Sequence, residues 1–311
     1  MKIIPDFVRN NNRIKIISNG GNPSPIPEDW RPVLMNCEIL VIIPDMHMYL
    51  FNSNLDNFKF GAKAMLSLLD HLESLKEEMA LDGKTLRIYQ IGDVYEQRFP
   101  SLIHPGSNAI GTEIRMSHPE YDQIINTMNG IRTHFLYGNH DFELRHFPGF
   151  AFAAKEGKVY IEHGFTNDRW NDFSNPNASF WEVSQLIFKT IREINQLFAN
   201  ILVSSDAISK DDNYSFGVRS GEDPDYNYPS ETGYIEKYGV KYFDYYSKRL
   251  QNIPDMPDAK ISIIGHTHHP YLNTNFNNGK NIYIDAGAWT EGRSDFAVVT
   301  NEELCICSYM R

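Results

Sequence analysis

Five short blocks rich in Asp, Asn and His each follow directly on an apolar, β-prone run, and this repeated order constrains the chain more than any other feature. The runs are Glu38 to Pro44, Leu86 to Ile91, Ile131 to Tyr137, Lys158 to Glu162 and Lys260 to Ile264. The blocks behind them are Asp45-Met46-His47, Gly92-Asp93, Gly138-Asn139-His140-Asp141, His163-Gly164 and Gly265-His266-Thr267-His268. A polar block after a strand belongs in a surface loop, where its backbone can be solvated. All five loops are expected on one rim of a sheet.

The segments between the runs carry helical spacing. Phe58 to Ala80 places Ala62, Met65, Leu66, Leu69, Leu72 and Leu75 among charges, and Asp82-Gly83 ends it. Tyr121 to Met128 is a shorter helix of the same kind, closed by Asn129-Gly130. Helices between successive strands imply an α/β layer fold. Asn281 to Asp285, Asp295 to Val299 and Glu303 to Ser308 read as closing strands.

Residues 1–36 are polar and turn-rich with one strand-like piece, Arg13 to Ser18, and read as an N-terminal extension, either a dimer arm or a strand added to the sheet edge. Residues 37–311 then form one domain, with a cap-like, largely helical insertion at about 166–258. Ser179 to Ala199 and Tyr234 to Leu250 supply its helices, and eight of the 17 tyrosines fall between Tyr214 and Tyr246. An insertion hung between two ligand loops is a candidate cap over the substrate pocket; its tyrosines either line that pocket or pack the insertion onto the core.

A chain of 311 residues with 41% apolar content can bury a proper core. Its net charge of −11 disfavours nucleic acid and anionic lipid as partners, because both need clustered Lys and Arg. Three cysteines make no disulfide framework; Cys305 and Cys307, two apart, face one side of a terminal strand. The N-terminus has no sustained apolar segment and no transmembrane run is present, so a cytoplasmic location is expected.

Carboxylate, amide and imidazole together suit Mn²⁺, Fe²⁺, Co²⁺, Ni²⁺ or Zn²⁺ better than Mg²⁺ or Ca²⁺ alone, with Mn²⁺ favoured. The absence of cysteine from the blocks argues against structural zinc. Asp45 and His47 can hold one ion, Asp93 can bridge two, Asn139 and His163 serve the second, and His266 and His268 divide between the pair. Two divalent ions about 3.5 to 4 Å apart can clamp a phosphoryl group and lower the pKa of a bridging water, so hydrolysis is the expected reaction. His140 can face the substrate phosphate as proton donor or transition-state stabiliser, with Asp141 orienting its other ring nitrogen. A lone histidine is more often structural, and that reading is kept for His71, His104, His118 and His134. Arg145 and His269 are candidate substrate contacts, and His146 lies beside the site.

These blocks resemble the calcineurin-like metallophosphoesterase superfamily, whose pattern is Asp-x-His, Gly-Asp, Gly-Asn-His-Asp/Glu, His and Gly-His-x-His; the match runs from Asp45 to His268. The resemblance implies a four-layer αββα sandwich of two mixed β-sheets flanked by helices. It implies one metal on Asp45, His47, Asp93 and His268, another on Asp93, Asn139, His163 and His266, and His140 with Asp141 as the catalytic pair. Gly92-Asp93-Val94-Tyr95-Glu96 and Gly265 to Pro270 are similar to the UDP-2,3-diacylglucosamine pyrophosphatase branch, which often has Arg where His140 stands. The expected activity is a dinuclear-metal-dependent phosphoesterase acting on a phosphorylated small molecule, with a nucleotide-sugar or lipid pyrophosphatase as the alternative. A nuclease or a non-catalytic binding scaffold is less favoured.

Overall fold

A computed structural model describes residues 8, 11–50, 56, 58–97, 110–165, 258–290 and 292–310. The expected insertion, with its two helices and its tyrosines, lies outside the described residues except for residue 258.

Thirteen strands are present among the described residues: β1 (Ile14–Ile16), β2 (Ser24–Pro25), β3 (Ile39–Ile43), β4 (Leu86–Ile91), β5 (His134–Leu136), β6 (Phe150–Ala151), β7 (Ala153–Glu156), β8 (Val159–Glu162), β9 (Ile261–Ile264), β10 (Tyr271–Asn275), β11 (Asn281–Asp285), β12 (Asp295–Thr300) and β13 (Glu303–Tyr309). The first sheet runs β1-β13-β12-β3-β4-β5-β6, with β2 also on β13; the second runs β10-β11-β9-β8-β7. Both are mixed. β3 to β6 are parallel, as are β8, β9 and β11, and antiparallel strands flank each group.

β3 reads Ile-Leu-Val-Ile-Ile because it is buried on both faces. Its odd residues, Ile39, Val41 and Ile43, join Ile88, Val298, Cys305 and Cys307 on the helical side. Its even residues, Leu40 and Ile42, meet Ile161, Ile261, Ile263 and Ile284 of the second sheet. This period-two division makes the structure a sandwich, and each fully buried aliphatic side chain contributes about 1.5–3 kcal/mol. Glu156 on the second sheet accepts from Arg87 and from Tyr89 Oη (2.7 Å) on the first, a polar stitch across the seam.

α1 (Ala62–Leu81), α2 (Ile110–Ser117) and α3 (Pro119–Gly130) lie on the outer face of the first sheet. α1 turns Met65, Leu68, Leu69 and Leu72 inward, the i, i+3, i+4, i+7 stripe of an amphipathic helix. It ends where Gly83, at φ +68°, lets its own N–H reach Ala80 O (3.0 Å). α3 opens with Pro119, whose ring suits a first turn, and Glu120 and Asp122 face the positive end of the helix.

The α/β sandwich of two mixed sheets is as expected. The strand read over Ile131 to Tyr137 is only His134–Leu136, because Ile131 closes α3 and Arg132 takes a left-handed turn at φ +58°. Arg13 to Ser18 yields β1, which pairs with β13 and forms an edge of the first sheet. Ile26, Trp30, Val33 and Leu34 are buried between the sheets, so this N-terminal segment packs into the core. Cys305 and Cys307 do share a buried face, their sulfurs 3.5 Å apart. No helix among the described residues is long and apolar enough to cross a membrane.

Candidate metal centre

All five ligand blocks stand just past the C-terminal ends of β3, β4, β5, β8 and β9. Within each sheet these strands are parallel neighbours, so their ends fall on a common rim. The two rims are tied together: Asp45 bridges Ala288, and Asp45 Oδ2 accepts the His266 N–H (2.9 Å).

The loops turn sharply enough to push side chains into rare conformations. His47, Asp93, His266 and His268 all take positive φ, between 49° and 70°. Such residues persist only where their surroundings over-determine them, and they concentrate at functional sites. Glycines make the approach possible. Gly92 sits at φ +102°, and a Cβ at Gly138 would overlap the Asp93 carboxylate.

Among the described residues, three groups of side chains converge closely enough to hold a metal ion: Asp45, His47 and His268; His47, Asp93 and His140; and Asp93, His163 and His266. Asp93 and His47 each belong to two groups. Asn139 joins the third, with Oδ1 3.0 Å from His163 Nε2.

The donor chemistry fits a cation. His163 Nδ1 lies 3.0 Å from the Ile91 carbonyl, which fixes the ring proton there. In the neutral ring Nε2 then carries a lone pair, and it faces Asp93 Oδ2 at 3.2 Å. His47 Nε2 and His268 Nε2 are likewise 3.0 Å apart. Only a proton or a metal cation between such atoms reconciles them. Burial opposes charge on His47 and His163, yet the Glu96 hydrogen bond and the Asp93 and Asp45 carboxylates raise His47 to about 9, and Asp93 and Asp45 raise His163 to about 10. For Asp93, burial favours the acid, but the His163, His140 and His47 rings hold it well below the usual carboxylate range.

The carboxylate at the His140 ring is Glu96, not Asp141 as the sequence suggested. His140 Nδ1 is 2.6 Å from Glu96 Oε2, and His47 Nδ1 is 3.4 Å from the same oxygen. Asp141 is fully buried and accepts the backbone N–H groups of Gly138 (2.7 Å), Val94 (2.8 Å), Asp93 (3.3 Å) and Tyr95 (3.5 Å), so it ties the second ligand loop to the third. Burial and the neighbouring Asp93 charge raise it to about 7.

Arg145 is exposed and stacks on Phe142, its guanidinium carbon 3.7 Å from the ring centroid. His269 is buried, its Nδ1 3.4 Å from Arg293 Nη2. His118 stacks on Tyr121, and His71 Nδ1 is 3.0 Å from Tyr309 Oη, both within the fold. Besides Glu96, a second residue outside the five blocks shapes the site, Gln90. Its side chain accepts the Gly92 N–H (3.1 Å) and donates to Gly92 O (2.7 Å), pinning the turn that presents Asp93. A polar residue two positions before the glycine of the Gly92-Asp93 block was the available signal.

No family model and no curated protein match this chain. Among solved structures, the Thermus thermophilus sulfate thiohydrolase SoxB in complex with glycerol aligns with a TM-score of 0.30 and 10% identity, over 88% of this chain and 56% of that one. The chain thus spans little more than half of that structure's length, and a likeness of this degree carries no weight for the site.

Proposed function

We propose that the protein is a dinuclear-metal-dependent phosphoesterase that hydrolyses a phosphate ester of a small or medium-sized substrate. The observation that carries this reading is the place of Asp93 Oδ2, 3.5 Å from His47 Nε2 and 3.2 Å from His163 Nε2, one ligand of each proposed site, as a bridging carboxylate requires. One cation would sit on Asp45, His47, Asp93 and His268, and the other on Asp93, Asn139, His163 and His266. Two divalent cations there would supply Lewis acidity to the phosphoryl oxygens and a nucleophilic water at neutral pH. The mixed oxygen and nitrogen donors suit Mn²⁺ first, with Fe²⁺, Zn²⁺, Co²⁺ or Ni²⁺ as substitutes.

The chain's own residues divide the remaining work. Glu96 accepts from His140 Nδ1, which orients the ring. His140 then holds a proton at Nε2 for the departing oxygen. Asp141 keeps the Asp93 and Asn139 loops in register through their backbone. Arg145 and His269 are the proposed contacts to the substrate. The net charge of −11 favours a small phosphorylated molecule over a nucleic acid.

The test is hydrolysis of a phosphomonoester, a phosphodiester and a nucleotide-sugar pyrophosphate by metal-stripped protein, with and without Mn²⁺, beside Asp93→Asn and His140→Ala. Metal-dependent turnover lost in both variants supports the reading, and the preferred ester names the substrate class. Turnover that ignores metal, or none on any ester, overturns it.

A further inference from the structure

Thr267 stands between His266 and His268 and has a proton to give and a lone pair to receive. Its hydroxyl donates to Asp285 Oδ2 and accepts the His269 N–H (3.2 Å), so the turn is held on both sides of His268. Asp285 ends β11 beside Ile264, the last residue of β9, and is fully buried. Its other oxygen accepts the Gly287 N–H (3.2 Å). That fixes the turn running on to Ala288 and Trp289, where Ala288 bridges Asp45 and the Trp289 N–H donates to Asp45 O (2.8 Å). One buried carboxylate therefore touches the turn carrying His266 and His268 on the second sheet and the segment clasping Asp45 on the first.

We infer that Thr267 and Asp285 are positioning residues that set the Asp45 loop and the His266–His268 loop at the separation a shared cation needs. The inference rests on the reading of those histidines as ligands. His266 and His268 both sit at positive φ, 70° and 59°, and a turn with two such residues needs an external hold to keep one conformation. The hydroxyl and carboxylate supply it without touching the metal, as partners behind a ligand shell do.

The test is Co²⁺ titration of the metal-stripped full chain, followed by visible absorption, for wild type, Thr267→Val, Thr267→Ser, His266→Ala and His268→Ala. Thr267→Val keeps the volume and loses both hydrogen bonds; its Co²⁺ affinity is expected to fall about 10- to 100-fold with an altered band, and Thr267→Ser to restore both. Wild-type affinity in Thr267→Val, with loss in the histidine variants, overturns the inference and leaves the metal reading standing. Wild-type affinity in either histidine variant overturns the metal reading itself. A role confined to the fold would lower the melting temperature of metal-free Thr267→Val without moving its Co²⁺ affinity. If Thr267→Val does not fold, Asp285→Asn is judged by the same affinity and spectrum.

Discussion

Glu96 Oε2 stands between two imidazoles, 2.6 Å from His140 Nδ1 and 3.4 Å from His47 Nδ1. A single carboxylate thereby fixes the orientation of a proposed proton donor and of a proposed ligand. Glu96→Ala is expected to lower kcat about 10- to 100-fold, less than the roughly 10²- to 10⁴-fold loss from His140→Ala. Steady-state kinetics at saturating Mn²⁺ compares the two. An Ala variant with wild-type kcat would leave Glu96 no part in the reaction.

Chelation should abolish turnover and destabilise the protein together. Ligands that bind only the folded state add about 2.7 kcal/mol at a hundredfold excess over Kd. Wild type is therefore expected to gain melting temperature on Mn²⁺ addition, and Asp93→Asn, which strips the shared ligand, to gain little. Equal gains in the two proteins would place the metal elsewhere.

Gly138→Ala tests the close approach of two loops. The added Cβ meets the Asp93 carboxylate, and displacing that group by about 1 Å is expected to cost on the order of a hundredfold in kcat/KM. Circular dichroism should show an unchanged fold, because the overlap is confined to the rim.

Asp295, hydrogen-bonded to the Ala288 segment that clasps Asp45, gives a pH signature of its own. Burial raises its acid to about 6, against the opposing pull of Arg293 and the Ala288 N–H. The unfolded value is about 3.9. The folded state therefore binds the proton more tightly, and this contribution is complete below about pH 4 and lost as pH rises through about 6. Asp295→Asn mimics the protonated form, so its stability relative to wild type should improve by up to about 3 kcal/mol between pH 4 and pH 7. Urea unfolding at the two pH values measures it, and a difference that stays constant would refute the assignment.

Sequence and structure agree most closely where two signals coincide. An apolar strand run followed at once by Asp, Asn or His located β3, β4, β8 and β9 and the loops behind them, and the helical stripe located α1. Short strands without an apolar run were not legible. β6 and β10 have an exposed side and lack an apolar run, and pairing with neighbours makes them strands. Around the site, adjacency misled: Asp141 follows His140 in the chain yet turns inward to backbone amides, while Glu96 arrives from another loop. The Thr267 to Asp285 contact has the same origin. Partners that meet only when β9 and β11 pair leave no local mark.

Each proposed cation draws on both sheets: Asp45, His47 and Asp93 with His268, and Asp93 and Asn139 with His163 and His266. A filled centre would act as a staple over the open end of the sandwich, and amide hydrogen exchange at the ends of β3, β4, β8 and β9 would slow in concert as metal is supplied. The rigidity of the rim would then report how much metal surrounds the protein.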